Sequence, residues 1–174
     1  RWLQLDPKTM NRAESVRWSY SRINQLLSSP HEYVFNYLAK IRNDDFLTLS
    51  DGALLKGSLV HLLIEDFFTA HRDTWRELGE EDVVLWARNQ LGILLREQGA
   101  VLIQPGRHVE AEQFKDSALL SLGRLLEHLR GASVTNVEVE KKQQAIFGND
   151  EFIGYIDLLV THTDGTETVI DIKW

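Results

Sequence analysis

The spacing of hydrophobic residues changes character after residue 131. Before that point apolar residues recur every three or four positions, and beyond it they run together or alternate. Residues three and four apart share one face of a helix, whereas residues two apart share one face of a strand. The first pattern predicts helices. Ser19 is a good N-cap ahead of Ile23, Leu26 and Leu27, and Ser29-Pro30-His31-Glu32 opens a second helix. There Pro30 takes the first helical position, and Ser29 with Glu32 forms a capping box. Tyr33, Val34, Tyr37, Leu38 and Ile41 make its apolar face, expected to be core rather than a surface for stacking bases. After a polar loop at Asn43-Asp44-Asp45, a third helix over 51–70 is apolar on most sides and is expected to be largely buried. Two packing helices follow over 82–98 and 110–130, stopped by Gly99 and Gly131.

The second pattern predicts strands over 134–147, 151–162 and 169–174. Gly148-Asn149 closes a two-residue hairpin, which sets Glu140 opposite Asp157. Thr163-Asp164-Gly165-Thr166 turns the chain again. The fold class is therefore α+β: a helical amino-terminal two-thirds, 19–131, followed by a three-stranded antiparallel meander over 132–174. Residues 1–18 are read as an arm, with Trp2, Leu3 and Leu5 docking on the body, and 19–174 as a single domain.

Two of the apolar strand runs carry charges that a buried strand does not favour. Asp157 closes Gly154-Tyr155-Ile156-Asp157, and Asp171 and Lys173 interrupt Val169 to Trp174. Such groups are rarely buried without a partner. On a strand Asp171 and Lys173 point to one face while Ile170, Ile172 and Trp174 point to the other. Register decides whether Asp157 joins them. A strict two-residue turn at Asp164-Gly165 would set Asp157 opposite Ile172 on the wrong face, so a connection one residue longer, or a bulge, is expected. The acids then serve either as ordinary salt-bridge partners or as oxygen ligands for a hard divalent ion, whose charge offsets their repulsion.

The long apolar helix holds a second set of polar residues. Gly57, His61 and Glu65 fall at i, i+4 and i+8, one slowly drifting stripe. A histidine in such a helix is either a core residue satisfied by a neighbour such as Glu65, or a ligand. Glu138, Glu140 and Lys142 likewise share a strand face, pointing to solvent or supplying Glu140 as a fourth acid.

Composition narrows the reading. The chain of 174 residues has no cysteine, which excludes disulfides, thiolate zinc sites and cysteine-ligated iron–sulfur clusters within it. A net charge of −7 argues against a surface that is basic throughout, although residues 1–50 carry seven Lys/Arg against five acids. Arg72, Arg76, Arg88, Arg96, Arg107, Arg124 and Arg130 either line a nucleic-acid channel or sit on solvated helix faces. No apolar run reaches the ~18 residues of a membrane span and no signal-peptide pattern opens the chain, so a cytoplasmic location is expected.

Taken in order, Gly57-Ser58-Leu59-Val60-His61, Gly154-Tyr155-Ile156-Asp157 and Ile170-Asp171-Ile172-Lys173 resemble the motifs of the PD-(D/E)XK nucleases, in particular the RecB-like branch with its AddB-type members. Ser19-Tyr20-Ser21-Arg22 and the break at Ser29-Pro30 resemble the amino-terminal part of such domains. Some relatives carry an iron–sulfur cysteine just before that proline; here the residue is Ser29, so no iron–sulfur cluster is expected.

The resemblance implies a restriction-endonuclease-like core, lacking its last helix and strand and apparently truncated at the carboxyl end. It implies that His61, Asp157 and Asp171 ligate magnesium or manganese, with the carbonyl of Ile172 assisting, and that Lys173 acts on the scissile phosphate and the attacking water. Asp157, Asp171 and Lys173 are then the catalytic residues, with Glu65 as support. The implied activity is metal-dependent hydrolysis of DNA phosphodiesters by an exonuclease-type domain in repair or recombination. Its partners would be DNA and a helicase or another repair subunit. The alternative is an inactive nuclease-like module that binds DNA or has a structural part in a larger repair complex.

Overall fold

The structure is a computed structural model in which residues 16–41 and 52–174 are described. The docking expected of Trp2, Leu3 and Leu5, and the loop at 43–45, lie outside them. The chain forms two compact units: one of residues up to 47 with 142–155, and one of 48–141 with 156–174. Among the described residues no helix is long and apolar enough to cross a membrane.

The first unit opens with β1 (Arg17–Trp18), followed by α1 (Tyr20–Ser28) and α2 (Pro30–Tyr33). Ser19 caps α1 as predicted, its extended backbone letting the hydroxyl accept from the Arg22 amide at 3.2 Å. The capping box at α2 does not form. Pro30 does take the first turn, but Ser29 makes no side-chain cap bond, and Glu32 accepts instead from Gln25 of α1 at 3.1 Å. Nor does α2 continue as a regular helix. Val34–Leu38 is a π-helical turn, with the Ala39 amide donating to the Val34 carbonyl. The extra residue per turn rotates the predicted apolar stripe, leaving Tyr33 buried but Ile41 55% exposed.

Arg22 is the centre of this unit. Its guanidinium lies 5.2, 5.7 and 4.8 Å from the rings of Trp18, Tyr33 and Tyr37, and it donates to the Arg17 carbonyl at 2.8 Å.

The second unit holds α3 (Gly52–Ala70), α4 (Glu80–Glu97) and α5 (His108–Gly131). Leu59, Leu63 and Phe67 of α3 are wholly buried, as the apolar pattern required. Around them pack Leu91 and Leu95 of α4, Phe114, Leu122 and Leu126 of α5, and Val137, Leu158 and Val160 of the sheet. Gly99 follows α4 because a Cβ there would lie 2.8 Å from a Leu95 methyl. Arg76 and Arg130 are not scattered surface charges: Arg76 donates to the Val134 carbonyl, and Arg130 to the Trp75 and Leu78 carbonyls at 2.7 and 2.8 Å. Arg107 likewise reaches the Val101 carbonyl.

The strands β2 (Val134–Phe147) and β3 (Asp150–His162) run through both units as a hairpin closed by Gly148-Asn149, where Gly148 takes φ 62°. Next comes β4 (Glu167–Ile170), shorter than the strand predicted over 169–174 and placed earlier. The sheet has four strands rather than three: β3 pairs with β2, with β1 at its start and with β4 at its end. β1 runs parallel to the start of β3, with Arg17 paired to Glu151 and Trp18 to Phe152. Asp150 fixes it there, accepting from the Val16 amide and the Trp18 indole at 3.1 Å each. A two-residue strand has no periodicity to read.

The β3–β4 connection is the longer one expected. Antiparallel pairs run from Leu158↔Ile170 to Thr161↔Glu167, and the His162 amide donates to the Thr166 carbonyl, leaving Thr163, Asp164 and Gly165 as the loop. Gly165 takes φ 83°, and Asp164 accepts from the Thr166 amide and hydroxyl at 2.9 and 2.7 Å. Those bonds hold the Asp164 carboxyl below its ordinary pKa.

Candidate metal and active site

The register of β3 and β4 carries directly into the site. With Leu158 opposite Ile170, the next residues outward are Asp157 and Asp171, which therefore share a face. Beyond Ile170 the chain leaves the sheet, and the Asp171–Trp174 stretch belongs to no strand. It is held by side chains instead. The Ile172 amide donates to Asp157 Oδ2 at 2.8 Å, and the Ile172 carbonyl lies 3.1 Å from His61 Nε2. A carbonyl only accepts, so His61 Nε2 carries a hydrogen, and in the neutral ring Nδ1 keeps its lone pair. Nδ1 faces Asp157 Oδ2 at 3.9 Å.

Fixing one ring nitrogen through a backbone carbonyl is how ligand histidines are commonly oriented. The sequence offered Glu65 as a hydrogen-bond partner for His61; the contacts made are with the Ile172 carbonyl and Asp157 instead.

Glu140 completes a group of three. His61, Glu140 and Asp157 each present one ligand atom, and these lie within 4.8 Å of one another. Two donors on one divalent ion, each 2.0–2.6 Å away, are separated by at most about 5 Å, so the spacing fits an ion. The donor set fits too. One imidazole nitrogen and two carboxylates suit magnesium, manganese or a borderline ion, with no soft ligand among them.

The placement of Glu140 depends on a break in β2. Its φ is 46°, a left-handed value that a glutamate adopts only under constraint. A two-residue turn at Gly148-Asn149 would bring Val134 opposite Thr163, yet the Thr163 amide donates to the Ser133 carbonyl. β2 thus spends one residue more than β3, the offset that a β-bulge makes. The hairpin turn pointed to the right neighbourhood for Glu140. Nothing in the pattern of β2 foretold the bulge that aims it.

The electrostatics are those of a site short of positive charge. Glu140 has its pKa raised, by burial first and then by the charges of Asp157 and Glu65, with His61 acting against them. Asp171 is held below its ordinary value, chiefly by the hydrogen bond from Lys173 and then by the charge of that amine. Lys173 Nζ lies 3.0 and 2.8 Å from the two Asp171 oxygens, and both side chains are mostly exposed. An exposed pair of this kind contributes little to stability, because water screens both charges.

The structure therefore brings His61, Asp157 and the Ile172 peptide together, with Glu140, for which two readings were open, lying beside them. It sets Asp171 beside Asp157 but pairs it with Lys173. Glu138 is turned to Lys141 at 2.8 Å, away from any such role. No curated protein and no solved structure matches the chain significantly. The family model of the PD-(D/E)XK nuclease superfamily matches residues 17–174, which span every element from β1 to Lys173, and the chain belongs to that superfamily.

Proposed function

We propose that the chain is a divalent-metal-dependent deoxyribonuclease of the RecB-like branch, acting as an exonuclease-type domain in DNA repair or recombination, in the cytoplasm and beside a helicase or similar subunit. The observation that carries the proposal is the convergence of His61, Glu140 and Asp157 with Glu65 close by. Like charges held together cost stability, and a bound cation is the simplest offset. The resemblance of Gly57 to His61, Gly154 to Asp157 and Ile170 to Lys173 supports the branch.

In this reading His61 Nδ1, Glu140 and Asp157 hold the ion, Asp171 lies beside them, and the Ile172 carbonyl fixes the orientation of the His61 ring. The ion would supply positive charge to a phosphate oxygen and lower the pKa of a bound water. The protein's own groups do the rest. Asp157 accepts the Ile172 amide and so ties β3 to the segment bearing Lys173. Lys173, released from Asp171 as phosphate approaches, donates to a non-bridging oxygen and orients the attacking water. No iron–sulfur cluster is needed, and the chain has no cysteine to hold one.

Manganese binding followed by electron paramagnetic resonance tests the site, and cleavage of end-labelled DNA tests the activity. Binding by the parent, lost in both Asp157→Ala and Glu140→Ala, together with manganese-dependent cleavage, is the expected result. Absence of manganese binding in the parent would overturn the proposal.

A further inference from the structure

Lys173 lies on a segment without strand hydrogen bonds, yet its Cα is fixed from both sides. On one side Ile172 is held through its amide by Asp157 and through its carbonyl by His61. On the other, the Trp174 ring meets Phe114 of α5 edge to face, with centroids 5.6 Å apart. Phe114 is buried in the helical core, and the Trp174 ring, itself 44% exposed, lies against it. Gly57 of α3 lies beneath, where a Cβ would come within 3.7 Å of Trp174 Cβ. The Lys173 side chain itself is 82% exposed. A lysine has four rotatable bonds and a correspondingly large rotamer entropy, so the direction in which its Cβ leaves the backbone is what the fold can control.

We infer that Phe114 and Trp174 are positioning residues for Lys173: their edge-to-face contact fixes the backbone after Ile172 and so aims the amine at the phosphate site. The inference rests on the nuclease reading for what Lys173 does, but the anchoring itself can be measured without cleavage. A misplacement of about 1 Å at a reacting group costs up to roughly a hundredfold in rate, so loss of an anchor should be visible in turnover.

The test is a double-mutant cycle of Phe114→Leu, Trp174→Leu and the pair, with Trp174→Phe as the conservative variant. Each leucine variant is expected to lower kcat at least about tenfold while KM and manganese affinity stay within about twofold. The double variant is expected to be no worse than the poorer single, and Trp174→Phe to restore most of kcat. Hydrogen exchange supplies the second readout. The Ile172 amide is expected to exchange about tenfold faster in Trp174→Leu, while the Leu158 amide in β3 keeps its protection.

Losses in kcat that simply add, or leucine variants that cleave as the parent does, would overturn the inference. If the parent itself cleaves nothing, the nuclease reading fails, and the Ile172 exchange rate still decides: unchanged protection in Trp174→Leu rules the anchor out.

Discussion

Each of the two units gathers charged side chains, and they answer that charge in opposite ways. Around Arg22 the charge is answered: three rings face the guanidinium and the Arg17 carbonyl accepts from it. Around Glu140 it is not. Asp157 and Glu65 add to the cost of ionising Glu140, and His61 offsets only part of it. A charge enclosed by complementary groups does structural work. Charges of one sign gathered where a neutral group would be less costly point to something the protein binds.

The sharpest test of this contrast is to remove Lys173, to which the proposed mechanism gives neither a structural nor a metal-binding part. Lys173→Ala is expected to reduce DNA cleavage by about a hundredfold or more, with manganese affinity within about twofold of the parent, measured by single-turnover cleavage and electron paramagnetic resonance. Normal cleavage by this variant would remove Lys173 from the mechanism.

Arg22→Met keeps much of the aliphatic bulk and deletes the guanidinium. Its expected cost is about 1–2 kcal/mol in chemical denaturation, with manganese binding unchanged. A change in metal affinity would mean that the two charge clusters are not independent.

Glu140→Gln probes the other cluster with the opposite sign. A carboxyl whose pKa is raised in the folded state binds its proton more tightly there than when unfolded, so it lowers stability as pH rises through its ordinary range. Replacing it by a neutral amide is therefore expected to raise the melting temperature of the metal-free protein by a few degrees, roughly, at pH 7. At pH 4, where Glu140 is already protonated in the folded protein, the gain is expected to shrink towards zero. The same variant should bind manganese at least about tenfold more weakly. A lower melting temperature at neutral pH would show that Glu140 is structurally paired after all.

The smallest effect is expected at the cap of α1. Ser19→Ala loses the bond to the Arg22 amide, at a cost of about 1 kcal/mol, readable as a small shift in the denaturation midpoint.

What could be read from the sequence follows from how local each feature is. The limits of β2 and the cores of α4 and α5 are written in periodicity, and turn chemistry at Gly148-Asn149 and Asp164-Gly165 set the hairpins. His61, Asp157, Asp171 and Lys173 were found through short ordered motifs and through charges placed where strands should be apolar. The rest depends on partners distant in the chain. β1 exists because Asp150, 132 residues beyond Trp18, accepts from its indole. The bulge at Glu140 has no glycine to announce it, and the capping box at Ser29 failed because Gln25 offered Glu32 another donor. Asp171 to Trp174 alternate like a strand, yet they are held by His61, Asp157 and Phe114 rather than by a neighbouring strand.

The three-residue loop at Thr163, Asp164 and Gly165 has a consequence for how such a chain tolerates insertion and deletion. Side chains alternate along β4, so changing the loop by one residue with Asp157 kept in place would turn Asp171 and Lys173 to the opposite face, whereas a change of two would return them to their own. Length variation at this surface turn is thus expected to be tolerated by parity: even steps keep Asp171 on the face of Asp157, odd steps turn it away, although neither residue lies in the loop.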